Sequence, residues 1–196
     1  MKKIEAFIAA ALLFSSTVTY AGTFDPGTLP VTKQTISGKY LSAKEAYEMK
    51  LNNGAKVLLI DVRTPAETEY VGLADQTDLN IPYMLDDYSS WDNQKSRFLM
   101  KPNSAFTMNV EDAIKARGLT RTDIIICICR SGDRSSVATT LLNYAGYTNV
   151  YSVYDGFEGD MGKEGANAGR RTVNGWKNAG LPWGYSLTKE KAYFTD

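Results

Sequence analysis

Short, wholly apolar runs recur along the chain, each followed by turn residues and then by a stretch with helical signals. Val57-Leu58-Leu59-Ile60 and Ile124 to Cys127 show no alternation of polar and apolar positions. A strand of that kind is buried on both faces. Val150 to Val153 reads as a further short strand, and Leu79-Asn80-Ile81-Pro82 as the end of another. Between them lie helices. Ser42-Ala43-Lys44-Glu45 is a capping box that opens a helix to about Asn52, with Gly54 as its stop. Thr64-Pro65-Ala66-Glu67 starts a short helical turn, and Asn109-Val110-Glu111-Asp112 opens a helix that stops at Gly118. Ser135 to Tyr144 is a helix with apolar Val137, Leu141 and Leu142, ending at Gly146. Residues 83–108 are polar and aromatic without a period, which predicts an excursion outside the core. Residues 156–184 hold eight glycines with Trp176 and Trp183, which predicts an ordered surface loop and a closing segment in which both tryptophans pack. Apolar strands alternating with capped helices build an α/β fold, a parallel sheet covered on both faces. Its ligand site is expected beyond the carboxyl ends of the strands.

Length and charge narrow this picture. The chain has 196 residues, 43% of them hydrophobic, enough for one domain with a substantial core. Its 22 basic residues balance 22 acidic ones, which argues against a nucleic-acid partner held by bulk charge. The first residues look like a leader. Lys2 and Lys3 precede the apolar run Ala6 to Phe14, and Thr19-Tyr20-Ala21 puts small residues where a signal peptidase reads. The run is shorter than the roughly 20 residues a membrane span needs, so no stable membrane insertion is predicted. The expected division is a signal peptide over residues 1–21, an arm over 22–37, a domain over 38–184 and a tail over 185–196. The expected location is the periplasm or outside the cell.

The candidate chemistry sits in Cys127-Ile128-Cys129-Arg130-Ser131-Gly132-Asp133-Arg134-Ser135. The chain has two cysteines, both here, and no histidine. Residues i and i+2 of a strand are about 6.6 Å apart at Cα, and their parallel side chains are poorly placed for a disulfide. Cys127, inside the apolar run, reads as a packing residue. Cys129 reads as a nucleophile, because a core has no use for two arginines and an aspartate beside it. A thiol attacks as thiolate, and without an imidazole the stabilising field must come from elsewhere. Three sources are at hand: loop amides, with Gly132 free to adopt positive φ; the positive end of the following helix; and the charges of Arg130 and Arg134. No metal site and no cofactor are predicted.

The stretch Cys129 to Ser135 resembles the active-site loop of the rhodanese family of single-domain sulfurtransferases. Asp61-Val62-Arg63, Glu69-Tyr70 and Asn80-Ile81-Pro82 resemble that family's upstream motif, in the same order. The resemblance covers about residues 38–184. It implies a three-layer α/β/α domain around a central, mainly parallel sheet of about five strands. It also implies a chemistry. Cys129 takes the outer sulfur of a small anionic donor such as thiosulfate or polysulfide and becomes a persulfide; a thiol or protein-thiol acceptor then removes that sulfur. Arg130, Ser131, Gly132, Asp133 and Arg134 would bind the donor, with Asp61, Arg63, Glu69 and Ser135 in support. Asp61 and Arg63 serve the site or brace their loop, and Glu69 pairs with Arg134 or stays solvated. Arg170 and Arg171 draw anionic donors or stay solvated. Phosphatases and arsenate reductases of this fold resemble Cys-x5-Arg; Cys129 to Arg134 is Cys-x4-Arg, a tighter cradle suited to one sulfur atom. A non-turnover sulfur carrier that docks on a redox partner is the alternative to an enzyme. Where the family has Gly-His-Ile, this chain has Gly72-Leu73-Ala74-Asp75, so the packing there is expected to differ. The 83–108 and 156–175 segments are expected to border the cleft.

Overall fold

The computed structural model describes residues 24–194; the expected signal peptide over residues 1–21 lies outside them. In chain order the elements are β1 (Tyr40–Leu41), α1 (Ala43–Asn53), β2 (Val57–Asp61), α2 (Pro65–Tyr70), β3 (Leu73–Ala74), β4 (Leu79–Asn80), β5 (Met84–Asp92), β6 (Arg97–Pro102), α3 (Phe106–Ala116), β7 (Ile124–Ile128), α4 (Asp133–Tyr144), β8 (Val150–Val153) and β9 (Trp183–Gly184). Five strands form one sheet in the order β1-β8-β7-β2-β4, and every pairing in it is parallel. The central strand β7 ends immediately before Cys129.

The apolar runs divide their side chains between two layers. Leu58 and Ile60 join Ile125 and Cys127 against Phe106, Val110 and Ile114 of α3 and Ala138 and Leu142 of α4. Leu59, Ile126 and Ile128 face the other way, onto Ala43 and Ala46 of α1, Phe157 and Trp176. Each fully buried Leu or Ile contributes about 1.5–3 kcal/mol, and the five residues of β2 are all buried. The Ser42–Glu45 capping box and the Gly54 stop of α1 form as expected. Trp176 is fully buried.

One element departs from the sequence reading, and another is more regular than its lack of a period suggests. Helix α3 begins at Phe106 rather than near Asn109, with no side-chain bond from its cap Ala105. Asn103 organises the entry instead: its Oδ1 accepts from the Ala105 N–H at 3.1 Å, and its carbonyl accepts from the Phe106 N–H at 3.0 Å. Residues 83–108, expected as an excursion outside the core, are largely regular. They hold the antiparallel hairpin β5–β6 and the first turn of α3. The hairpin lacks a period in sequence because it lies outside both core layers and its register shifts between Asp87 and Trp91, which breaks alternation.

The Gly72-Leu73-Ala74-Asp75 segment packs against the closing part of the chain. β3 pairs with β9, and the Gly72 carbonyl accepts from Arg63 Nη2 at 2.7 Å. The C-terminal residues close over the sheet edge: the Lys191 carbonyl accepts from the Asn80 N–H at 2.7 Å, and the Tyr193 hydroxyl from the Asn103 side chain at 3.2 Å.

Candidate active site

A strand that ends where a helix begins leaves a short loop between them, and here that loop folds around a sulfur atom. Gly132 takes φ 103°. A Cβ on it would stand 2.1 Å from the Tyr154 carbonyl oxygen, so the position admits glycine alone. That turn aims the Gly132 N–H at Cys129 Sγ, 3.2 Å away. Ser135 Oγ lies 3.5 Å from the same sulfur and donates onward to the Gly132 carbonyl at 3.0 Å. Ser152 on β8 donates to Ser135 Oγ at 3.0 Å. The segment after β8 straps the loop from behind. Phe157 N–H donates to the Cys129 carbonyl at 2.8 Å, and the Glu158 and Gly159 N–H groups donate to the Arg130 carbonyl at 2.9 and 3.1 Å. Loop carbonyls are thereby turned outward, so the sulfur meets a donor rather than an acceptor.

The two thiols differ as their surroundings dictate. Both are buried and neither forms a disulfide. Burial pushes the Cys127 thiol up to about 12, against a weaker opposing contact with Thr139, so it stays protonated and inert. Cys129 opens instead onto a cleft of about 670 Å³, which Arg130, Ser131, Asp133 and Arg134 also line. Asp133 is exposed at the first turn of α4, and Ser131 Oγ lies 3.4 Å from its Oδ2. The helix begins at Asp133, two residues before the expected Ser135.

Arg134 does not pair with Glu69. Glu69 is exposed on α2. The partner is Glu67, bidentate to the guanidinium at 2.6 and 2.7 Å. The reason is the turn start. Thr64 and Glu67 form a capping box, which points Glu67 inward while Glu69, two residues on, faces away. Burial works to raise the Glu67 carboxyl, but the hydrogen bonds and charge of Arg134 prevail and hold it at about 2. Arg134 is correspondingly shifted up, burial being outweighed by Glu67. Arg130 is shifted down, by burial first and then by the neighbouring charge of Arg171.

Asp61 and Arg63 stand apart from the cleft as a brace. Both are fully buried, joined at 2.6 Å, and the Arg63 guanidinium lies 4.2 Å over the Phe157 ring. Arg171 Nη1 donates to the Gly159 carbonyl at 2.6 Å, Arg170 is exposed, and neither lines the cleft. Of the two long segments, the hairpin borders the cleft, through Met84, Asp92, Lys95, Arg97, Leu99 and Met100, whereas residues 156–175 do not. The arm contributes Thr32, whose carbonyl accepts from Ser136 Oγ at 2.8 Å.

The family model described as "Rhodanese-like domain" matches residues 42–162. The chain belongs to the rhodanese-like family. Among curated relatives, the uncharacterized protein RP600 of Rickettsia prowazekii is 34% identical over 146 residues, 73% of this chain and 94% of that one. The uncharacterized protein RC0915 of Rickettsia conorii is 32% identical over 148 residues, covering 76% and 98%. Among solved structures, Rv0390 from M. tuberculosis is similar with a TM-score of 0.55 at 28% identity, covering 74% of this chain and 96% of that one. The five-stranded parallel sheet with helices on both faces is the rhodanese-like fold.

Within this rhodanese-like domain, the sequence reading missed Glu67 and Ser152, whereas it placed the 83–108 segment at the cleft. Glu67 carried a signal: Thr64-x-x-Glu67 is itself a capping box. Ser152 carried none, since its place beside Ser135 depends on β8 lying next to β7.

Proposed function

We propose that the protein transfers sulfane sulfur through a persulfide on Cys129. The observation that carries this reading is the sulfur at the floor of a cleft, inside a six-residue loop whose Gly132 N–H points at it from 3.2 Å. Its thiolate attacks the outer sulfur of thiosulfate or a polysulfide. The sulfur–sulfur bond of the donor breaks, sulfite or the shortened polysulfide leaves with the electron pair, and Cys129 carries the new S–S bond. An acceptor thiolate then attacks the terminal sulfur, and Cys129 leaves as thiolate. No electrons are gained or lost overall and no cofactor enters. Arg130, which makes no ion pair among the described residues, holds the anionic leaving group. Arg134 holds the loop through Glu67. The six-residue span favours one sulfur atom over a tetrahedral phosphate.

The intact mass of the purified protein, with and without thiosulfate, tests this. A gain of one sulfur atom that cyanide removes supports the reading; no gain with thiosulfate or polysulfide overturns it. The reading includes export, on the strength of the leader-like residues 1–21. Protein from an exporting host is expected to begin at Gly22, and recovery of intact Met1 in the membrane fraction would contradict this.

A further inference from the structure

Two stretches that stand out in the sequence have little part in the Cys129 cleft. The arm over 22–37 contributes only Thr32 to it, and the glycine-rich segment 156–175 contributes nothing. These two stretches instead meet each other. Phe24, Leu29 and Lys33 of the arm, with Asp160, Met161 and Val173 of the glycine-rich segment, line a second cavity of about 770 Å³. It shares no lining residue with the cleft over Cys129, and its volume is in the range that small organic ligands occupy.

The cavity has a fixed polar centre. Lys33 is only 6% exposed, and its ammonium donates to Asp160 Oδ1 at 2.7 Å. Asp160 is held in turn: its N–H donates to Asn174 Oδ1 at 2.8 Å, and Asn174 Nδ2 donates to Asp160 Oδ2 at 3.1 Å. Gly159, just before it, has φ 86°, and a Cβ there would collide with the Asn174 carbonyl, so this turn is built for glycine. The arm is anchored as well, because Phe24 stacks on Tyr154 with ring centroids 4.4 Å apart. An ammonium carries three donors, and Asp160 is the one acceptor of Lys33 Nζ among the described residues.

The rest of the lining sets the ligand class. Met161 and Val173 are 51% and 60% exposed, apolar surface that an apolar body would take out of water. The charged lining residues are Lys33, Lys163 and Asp160, two cations against one carboxylate. Lys163 makes no ion pair among the described residues. The lining thus carries one uncompensated positive charge beside apolar surface.

We infer that this second cavity is a binding site for a small organic monoanion with an apolar body, separate from the Cys129 cleft. The head group is matched by the charge of Lys163 and the spare donors of Lys33, and the body by Leu29, Met161 and Val173. The inference stands on this cavity alone and does not depend on sulfur transfer.

The test is isothermal titration of the purified protein with octanoate and with octanamide, which share a chain and differ in charge. Octanoate is expected to bind saturably, one per chain, and about two- to fivefold more tightly than octanamide, the range one solvent-screened charge supplies. Lys163→Gln is expected to remove that preference while leaving octanamide binding unchanged. Val173→Asp and Met161→Asp, tested separately, each remove apolar lining and add a repelling charge, and each is expected to weaken octanoate by about fivefold or more. Both positions are exposed, so either variant can report if the other fails to fold. Failure of octanoate to saturate, or equal affinity for the two probes in the unaltered protein, would overturn the inference. So would octanoate binding that is undiminished in the aspartate variants, since the anion would then be held elsewhere.

Discussion

Cys127 and Cys129 are separated by one residue, yet the strand ends between them. Both are buried, but Cys127 lies within the sheet whereas Cys129 lines the cleft. Cys129→Ser is expected to abolish sulfur loading with the melting temperature little changed, because the cradle does not depend on the thiol for its turn. Cys127→Ser is expected to load sulfur normally but to lose about 1–3 kcal/mol of stability, the cost of a poorly satisfied hydroxyl in the core. Loading mass and thermal melts measured on both variants decide the assignment. The carboxylates of α2 offer a second contrast. Glu67→Gln removes the charge opposite a mostly buried Arg134, whereas Glu69→Gln alters an exposed residue. The first is expected to lower both melting temperature and loading rate, and the second neither. The pH dependence has a fixed sign. Glu67 is held at about 2 in the fold against an ordinary 4.5, so its contribution is present above pH 4.5 and is lost as pH falls toward 2. Melts of Glu67→Gln should be flatter than those of the unaltered protein across that window.

At the scale of elements, the site depends on how β7 is joined to α4. Gly132 supplies the positive φ and the clearance from the Tyr154 carbonyl that the join requires. Gly132→Ala forces the loop to move and takes the Gly132 N–H away from Cys129 Sγ. The expected result is a loss of more than 1 kcal/mol in stability, together with a loading rate reduced at least tenfold, read from thiosulfate-dependent mass gain against time. A comparable loss of stability with an unchanged loading rate would show that the amide is not needed. The hairpin β5–β6 is built differently, outside both core layers. It can therefore shape the cleft without contributing to the framework that carries Cys129.

Across the whole molecule, Asp155 ties the start of α1 to the closing segment. Its carboxylate accepts from the Ala43 N–H at 2.8 Å and from the Gly175 N–H at 3.2 Å. Burial raises it to about 6 from an ordinary 3.8, with those two hydrogen bonds opposing. A raised acid stabilises the fold below its unfolded value and ceases to as pH rises through the folded one. Asp155→Asn is thus expected to melt lower at pH 4, where one acceptor is lost, yet to show a smaller decline between pH 4 and 6. Much of this molecule was legible in its residues. Apolar strand runs, the Ser42–Glu45 box and the Cys129–Arg134 loop are local patterns, and a strand buried on both faces needs no partner to be recognised as such. Helix α3 and the hairpin were less legible, because Asn103 caps at a distance and a strand pair outside the core carries no burial period. Glu67 against Glu69 shows where sequence reasoning stops. Both lie near the motif, and only the direction of the first turn of α2 decides which one reaches Arg134. Local chemistry determined the Cys129 loop, the strand and helix that flank it and the α/β class, since each depends on residues adjacent in the chain. Tertiary structure alone decided the partner of Arg134, the Ser152–Ser135 contact, the strap on the Arg130 carbonyl and the hairpin form of the cleft wall. Those depend on which strands become neighbours, a choice made by the whole core at once.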